Sequence, residues 1–308
     1  MKCNRFVFNG SDNKKLSAIR WENEDDYKIK GIVQISHGMA ENAKRYEGFA
    51  KKLTDSGYIV YIHDHRGHGE SEDSLENLGY LARENGFDFL VEDMKLLTNI
   101  IRKENQGVPV YLFGHSMGSF AAQKYLIDYS DSINAIILSG SCGDFGTELK
   151  MITPIISCIE KVHGERHRSK ILDNLIFGGN NKQFKNPRTK FDWLSRDEKE
   201  VDKYIADNKC GFLCTTAFYR DFINGLKYIE NKKNLSKLTK CVPILILSGD
   251  KDPIGKNGKG VQNLYERYKA FGVKDVSMKL YKDARHEILN ETNKDEVMQD
   301  IVEWLGTK

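Results

Sequence analysis

Short apolar runs with no polar residue in alternation recur along this chain, separated by stretches with helical spacing. Tyr58–Ile62 reads Tyr-Ile-Val-Tyr-Ile, Val108–Phe113 is a second run, and Ile133–Leu138 and Val242–Leu247 each end in Ser-Gly. A strand that is apolar at consecutive positions must be covered on both faces, which is the situation of parallel strands packed between two helical layers. Ile32–Ile35 and the weaker Val276–Leu280 extend the series. Between them, Ala43–Ser56 is an amphipathic helix closed by Gly57, and Phe87, Leu90, Val91, Met94, Leu97 and Ile101 place one face of a helix over Phe87–Glu104. A terminal helix is expected around Val297–Leu305, and a hairpin of Phe6–Phe8 and Leu16–Trp21 around Asn9–Asn13 opens the chain. The expected fold is a doubly wound α/β sheet, mostly parallel.

The run Val108–Phe113 leads straight into Gly114-His115-Ser116-Met117-Gly118 and then into the helix-compatible stretch Ser119–Tyr129. Strand, Gly-x-Ser-x-Gly and helix in that order describe a nucleophile elbow, in which a serine at strained backbone angles presents its hydroxyl clear of the sheet. The residues two positions to either side must then lack side chains that would strike strand or helix, and both are glycine. Ser116 is the expected nucleophile.

A serine hydroxyl attacks only when an imidazole takes its proton and a carboxylate orients that imidazole. In this arrangement the acid and then the histidine follow the serine along the chain. Only His163, His167 and His286 do so, and the first two belong to the basic run Lys161–Lys170. His286 lies in the loop after the last strand and is the expected base. For the acid, Ser248-Gly249-Asp250-Lys251-Asp252-Pro253 leaves the strand Val242–Leu247. Asp252 precedes a proline, which biases it toward extended geometry away from the strand end, so it is the first choice; Asp250 is the second and Asp144 the third.

The oxyanion of an acyl-transfer intermediate needs two backbone N–H groups, one from the residue after the serine and one from the loop after the third strand. Met117 supplies the first and Met39, in Ser36-His37-Gly38-Met39-Ala40-Glu41, the second. His37 is read as a brace for that loop. His63-Asp64-His65-Arg66-Gly67-His68 offers metal-ligand chemistry, but Arg66 puts a fixed cation in its middle and no second His or Cys cluster completes a coordination sphere. No metal is expected there, and the segment reads as a stiffened turn.

Between Cys142 and about Thr215 the strand–helix alternation breaks. Residues 143–215 are expected to form an inserted, largely helical cap over the strand ends, with 1–142 and 216–308 as the core. The cap carries an apolar face, Leu149, Met151, Ile152, Ile155, Ile156 and Ile159, followed by Lys161, Arg166, Arg168 and Lys170. That face is expected to cover an acyl pocket; a transient contact with an anionic membrane surface is the alternative.

With 308 residues, 40% of them hydrophobic, the chain can bury a large core, and its formal net charge of +3 supplies no field for a nucleic-acid backbone. Nucleic acid is excluded as an expected partner. Neither Gly-x-Gly-x-x-Gly after the first strand nor a phosphate-binding Gly-x-x-x-x-Gly-Lys-Ser occurs, so no cofactor is expected. Met1–Asn13 lacks the apolar core of a signal peptide and no run approaches the ~20 residues of a membrane span, which points to a cytoplasmic location. Cys3, Cys142, Cys158, Cys210, Cys214 and Cys241 form no dense framework and are expected to be reduced and mostly buried.

His37-Gly38-Met39-Ala40-Glu41, Asp64–Ser71, Gly114–Gly118, Ser248–Pro253 and Arg285-His286 together resemble the monoacylglycerol lipase and lysophospholipase branch of the α/β-hydrolase superfamily. Phe191–Asp197 and Phe218–Asp221 resemble bacterial members often labelled serine aminopeptidase S33-like. The resemblance implies an α/β-hydrolase fold, triad roles for Ser116, Asp252 and His286, an oxyanion hole at Met39 and Met117, and a small acyl ester or lipid as substrate. The expected function is therefore hydrolysis of fatty acyl esters through an acyl-enzyme. Two alternatives are an aminopeptidase, holding a free amine on Glu148, Glu160 or Glu165, and a small-molecule binder without catalysis.

Overall fold

The computed structural model describes residues 1–24 and 28–308. Its strands are β1 (Lys2–Asn9), β2 (Lys15–Glu22), β3 (Gly31–Ser36), β4 (Tyr58–His63), β5 (Val110–His115), β6 (Ala135–Ser139), β7 (Ile244–Gly249) and β8 (Val276–Tyr281). Its helices are α1 (Glu47–Asp55), α2 (Gly86–Glu104), α3 (Met117–Tyr129), α4 (Glu148–His163), α5 (Lys170–Phe177), α6 (Glu198–Ala206), α7 (Thr216–Glu230), α8 (Lys232–Leu235), α9 (Lys259–Ala270) and α10 (Lys294–Leu305). The strands form one sheet in the order β1-β2-β4-β3-β5-β6-β7-β8, antiparallel at β1–β2 and β2–β4 and parallel from β4 onward.

Successive residues of the central strands face opposite layers, which is why their sequences are apolar throughout. In β5, Val110 and Leu112 enter the core shared with α2, α3, α7 and α9, while Tyr111 and Phe113 enter the core shared with α1 and α10. In β7, Ile244 and Ile246 divide from Leu245 and Leu247 in the same way. The one polar residue inside β3, Gln34, is buried with both ends of its amide bonded: its nitrogen donates to the Met94 carbonyl at 2.8 Å and its oxygen accepts from the Thr98 hydroxyl at 2.7 Å. The expected apolar stripe of α2 is buried throughout, from Phe87 to Ile101.

Several boundaries differ from the sequence reading. β5 starts at Val110 because Pro109 has no N–H to give to a ladder, and it runs on through Gly114 and His115, so α3 begins directly at Met117. Ala43–Tyr46 is a 3-10 turn that precedes α1 rather than part of it. The cysteines are all free, but only Cys142 and Cys214 are buried. Cys3 sits on the edge strand β1, Cys158 on α4 and Cys241 in the connection before β7, and all three are exposed, correcting the expectation of mostly buried thiols. Among the described residues no helix is long and apolar enough to cross a membrane.

Candidate active site

Ser36, His115, Ser139, Gly249 and Tyr281 end their strands on the same side of the sheet, and the loops leaving four of those ends converge there. Ser116 adopts φ 52° and ψ −121°, the strained turn expected of the elbow. A Cβ on Gly114 would stand 2.5 Å from the Gly118 carbonyl oxygen, and one on Gly118 would stand 2.2 Å from the Ser36 carbonyl oxygen. Both glycines are therefore required by close approach of backbone to backbone. The loops after β7 and β8 meet in the same way: a Cβ on Gly249 would lie 2.0 Å from the Ala284 carbonyl oxygen.

The structure brings Ser116, His286 and Asp252 together. Ser116 Oγ is 2.8 Å from His286 Nε2, and His286 Nδ1 is 2.9 and 3.0 Å from the two Asp252 oxygens. Asp252 also accepts the Ser248 hydroxyl at 3.0 Å and the Ile254 N–H at 2.9 Å, so every donor facing it is satisfied. Burial pushes the Asp252 carboxyl up, but the imidazole beside it and these hydrogen bonds outweigh burial and hold it below the ordinary carboxylate value. The same pairing acts in reverse on His286: burial lowers it, while the charge and hydrogen bond of Asp252 raise it above its ordinary value, with help from Glu287 and Glu41. A hydrogen-bonded hydroxyl–imidazole–carboxylate chain with the carboxylate ionised is suited to general-base catalysis.

The alternative acids lie elsewhere. Asp250 accepts the Asp283 N–H at 2.8 Å and so pins the β7 loop to the β8 loop. Asp144 is exposed, and its N–H donates to Glu230. His163 and His167 stack on each other with ring centroids 4.6 Å apart, far along the chain segment from the serine. Neither the Met39 nor the Met117 N–H has an acceptor among the described residues, and the Met39 side chain borders both cavities that reach Ser116.

The larger of those cavities, about 430 Å³, is apolar: Leu149, Ile152 and Ile155 of α4 and Ile176 of α5 face Phe222 and Leu226 of α7 across it. Ile156, counted with this face in the sequence, is instead buried against the core. α4 runs unbroken through Pro154. The smaller cavity, about 80 Å³, is bordered by Asp173, Lys190, Tyr219 and Cys214.

Sequence reasoning gave no role to Trp193, whose ring lies 5.0 Å from His286 and whose carbonyl oxygen accepts the His286 N–H at 3.4 Å. It also missed Arg45, held between the buried carboxylates of Glu41 and Glu287. The Glu41/Arg45 spacing of four on a helical turn was the one visible signal.

The histidines of the 63–68 segment bond to protein groups. His65 Nε2 is 3.0 Å from Ser36 Oγ, His65 Nδ1 is 3.1 Å from His63 Nε2, and His68 Nε2 accepts the Ala40 N–H at 3.2 Å. His37 Nε2 accepts the His65 N–H at 2.9 Å, bracing the loop that bears Met39. Burial pushes His63 and His68 down to about 3 and His115 down to about 4, and pushes His65 well below its ordinary value. Because the unfolded chain binds these protons near pH 6.5 and the folded protein does not, the contribution of these four histidines to stability should be level above pH 7 and fall as pH drops below about 6.5. Each neutral histidine costs about 2 kcal/mol by pH 5. Urea midpoints measured from pH 8 to pH 4 should fall steeply between pH 6.5 and 4; a level profile over that range would contradict burial of neutral imidazoles.

A mostly parallel eight-stranded sheet, an elbow serine after β5 and an acid and histidine on loops after β7 and β8 define an α/β-hydrolase. The chain matches the family described as serine aminopeptidase, S33, over residues 27–293, and it belongs to that family. It is 28% identical over 283 residues to a monoacylglycerol lipase of Mycolicibacterium smegmatis, covering 91% of this chain and 89% of the relative. It is also 28% identical to the human monoglyceride lipase, covering 91% and 83%. Among solved structures, a thermostable carboxyl esterase from Bacillus coagulans in complex with glycerol superposes with a TM-score of 0.91 at 26% identity, covering 100% and 99%.

Proposed function

We propose that this protein is a serine hydrolase that cleaves carboxylic esters of fatty acids, of the monoacylglycerol or lysophospholipid type. The observation that carries this reading is the apolar cavity of about 430 Å³ bordered by Ser116, of a size and lining suited to an acyl chain. The monoacylglycerol lipase and esterase likenesses support the ester. In this reading Ser116 Oγ adds to the ester carbonyl carbon as its proton passes to His286 Nε2. Asp252 holds the imidazole by Nδ1, and the N–H groups of Met39 and Met117 receive the oxyanion. The proton then leaves with the alcohol, and water enters by the same route to free the fatty acid.

Residues 143–215 act as the cap in this account, with α4 and α5 forming the wall against which the acyl chain lies. A transient lipid contact is part of the proposal on one ground: Met151, Val162 and Ile171 are exposed to 70%, 69% and 64%. The cations following α4 support it less, since Arg166 stacks 3.9 Å over the Tyr80 ring and Arg168 is bonded to the carbonyls of Glu76 and Leu78.

An aminopeptidase reading gains one specific observation. Glu148, Glu160 and Glu165 are occupied by Lys256, Arg220 and Tyr80, but Asp173 borders the small cavity beside Ser116 and would face an ammonium there. One series of assays separates the readings. The ester proposal expects kcat/KM to rise from p-nitrophenyl acetate to medium and long acyl chains, with little action on aminoacyl anilides. Ile155→Asp should then raise KM for long-chain esters by about 10-fold or more and leave acetate esters nearly unchanged, because the tail touches α4 and the reacting carbon does not. Equal losses on short and long esters would remove α4 from substrate selection, and preference for the anilide would overturn the ester reading.

A further inference from the structure

The loop that bears Met39 and the loop that bears His286 are joined by a single, largely enclosed guanidinium, its side chain 12% exposed. Arg45 Nη1 and Nη2 hold Glu287 in a fork at 2.7 and 2.6 Å, and Nη1 also reaches Glu41 Oε2 at 2.5 Å. The other Glu41 oxygen accepts the Gly38 N–H at 2.5 Å and the Tyr46 hydroxyl at 2.8 Å. On its open side the guanidinium lies 4.8 Å from the Tyr204 ring of α6. Glu41 and Glu287 are both buried, as is His115 between them and His286.

Two carboxylates against one guanidinium leave this cluster with a net negative charge next to the imidazole, on the wall of a cavity of about 560 Å³ whose other charged residues include Lys44, Glu200, Lys203, Asp207, Lys294 and Asp295. Pairing a largely enclosed arginine with one carboxylate would satisfy it; the second is surplus to that need. We infer that Glu287, fixed by Arg45 and assisted by Glu41, is a positioning residue that stabilises the imidazolium of His286, acting as a second source of negative charge behind Asp252. The inference rests on His286 being the base of the proposed reaction. Other charged or titratable groups around the imidazole are Asp252 on the β7 loop, Arg45 ahead of α1, and His115 at the end of β5, which burial keeps neutral near pH 7. Trp193 covers the ring with a neutral face. Glu287 lies below its ordinary value, burial being outweighed by the Arg45 charge and fork, so it is ionised throughout the range in which His286 titrates.

Glu287→Gln keeps the shape of the side chain and removes its charge. In the full-length protein the His286 imidazole, followed by NMR in the Ser116→Ala background, should titrate about 0.5 to 1 pH unit lower in the variant. The acid limb of kcat/KM in the active enzyme should move down by the same amount, with a loss at the plateau that falls on kcat rather than KM. Glu287→Asp retains the charge and should restore the limb even where the plateau stays low. If Glu287→Gln does not fold, Glu41→Gln removes the other carboxylate and should produce a smaller shift of the same sign. Purely structural roles predict lower stability with the imidazole titration unmoved, and that result in either variant overturns the inference. Should esters prove not to be the substrate, the NMR shift still decides the matter, so failure of the ester reading and failure of the charge role are told apart.

Discussion

Ser116→Ala should lower ester turnover by about 10⁴- to 10⁶-fold, and His286→Ala should do nearly the same. The two groups share one proton, across a gap of 2.8 Å between Oγ and Nε2. An oxygen without the base stays a neutral alcohol, and a base without the oxygen has only water to activate. The double variant should therefore be little worse than either single one, the residual rate coming from the oxyanion donors and from binding. Single-turnover rates with a p-nitrophenyl ester check this on the same preparations. Losses that multiply in the double variant would mean that the two residues act in separate steps.

Asp252→Asn should cost about 10⁴-fold in kcat while Asp250→Asn costs no more than a few-fold. The reason is the tautomer. With a carboxylate at 252, Nδ1 must carry the proton and Nε2 is left to accept one from Ser116. An asparagine amide can instead donate to Nδ1, which places the proton on Nε2 and blocks the transfer while hardly moving an atom. At 250 the asparagine oxygen can still accept the Asp283 N–H, so only the weak contact with Lys251 at 3.7 Å is lost. Steady-state kinetics of the two variants at matched stability decide it, and the opposite ranking would move the acid to Asp250.

The sheet was legible because each of its inner strands meets a helix layer on both sides, so residues such as Ile244 through Leu247 announce themselves as a run. The elbow was legible because its chemistry is local: five consecutive residues between a strand and a helix. His286 and Asp252 came from chain order and a neighbouring proline, signals that are also short in range. What escaped was set by contacts across long stretches of chain. Arg45 meets Glu287 across 242 positions, and Trp193 reaches His286 only because the segment after α5 folds back over the β8 loop. Exposure of Cys3, Cys158 and Cys241 escaped for a related reason, since an edge strand, an outward helix face and a connecting loop look no different in composition from buried ones. Likewise, nothing in the spacing of α4 separated Ile155, on the cavity, from Ile156, in the core.

The glycine contacts at 118 and 249 carry a consequence for how such a protein diversifies. Geometry among Ser116, His286 and Asp252 is fixed where main chain rests on main chain, Gly118 against Ser36 and Gly249 against Ala284. Much of the lining of the large cavity is instead made by residues of α4, α5 and α7, none of which forms those joints, while Met39, Ser116, Met117, Pro253 and Ile254 complete it beside the triad. In the proposed reaction, much of the surface that would select the acyl chain therefore lies apart from the backbone joints that hold Ser116, His286 and Asp252 together. On that proposal a lineage or a mutant library could exchange residues along α4 and α5 for new tail lengths and shapes at little risk to the joints. At the two joints, by contrast, even a single methyl group has nowhere to go.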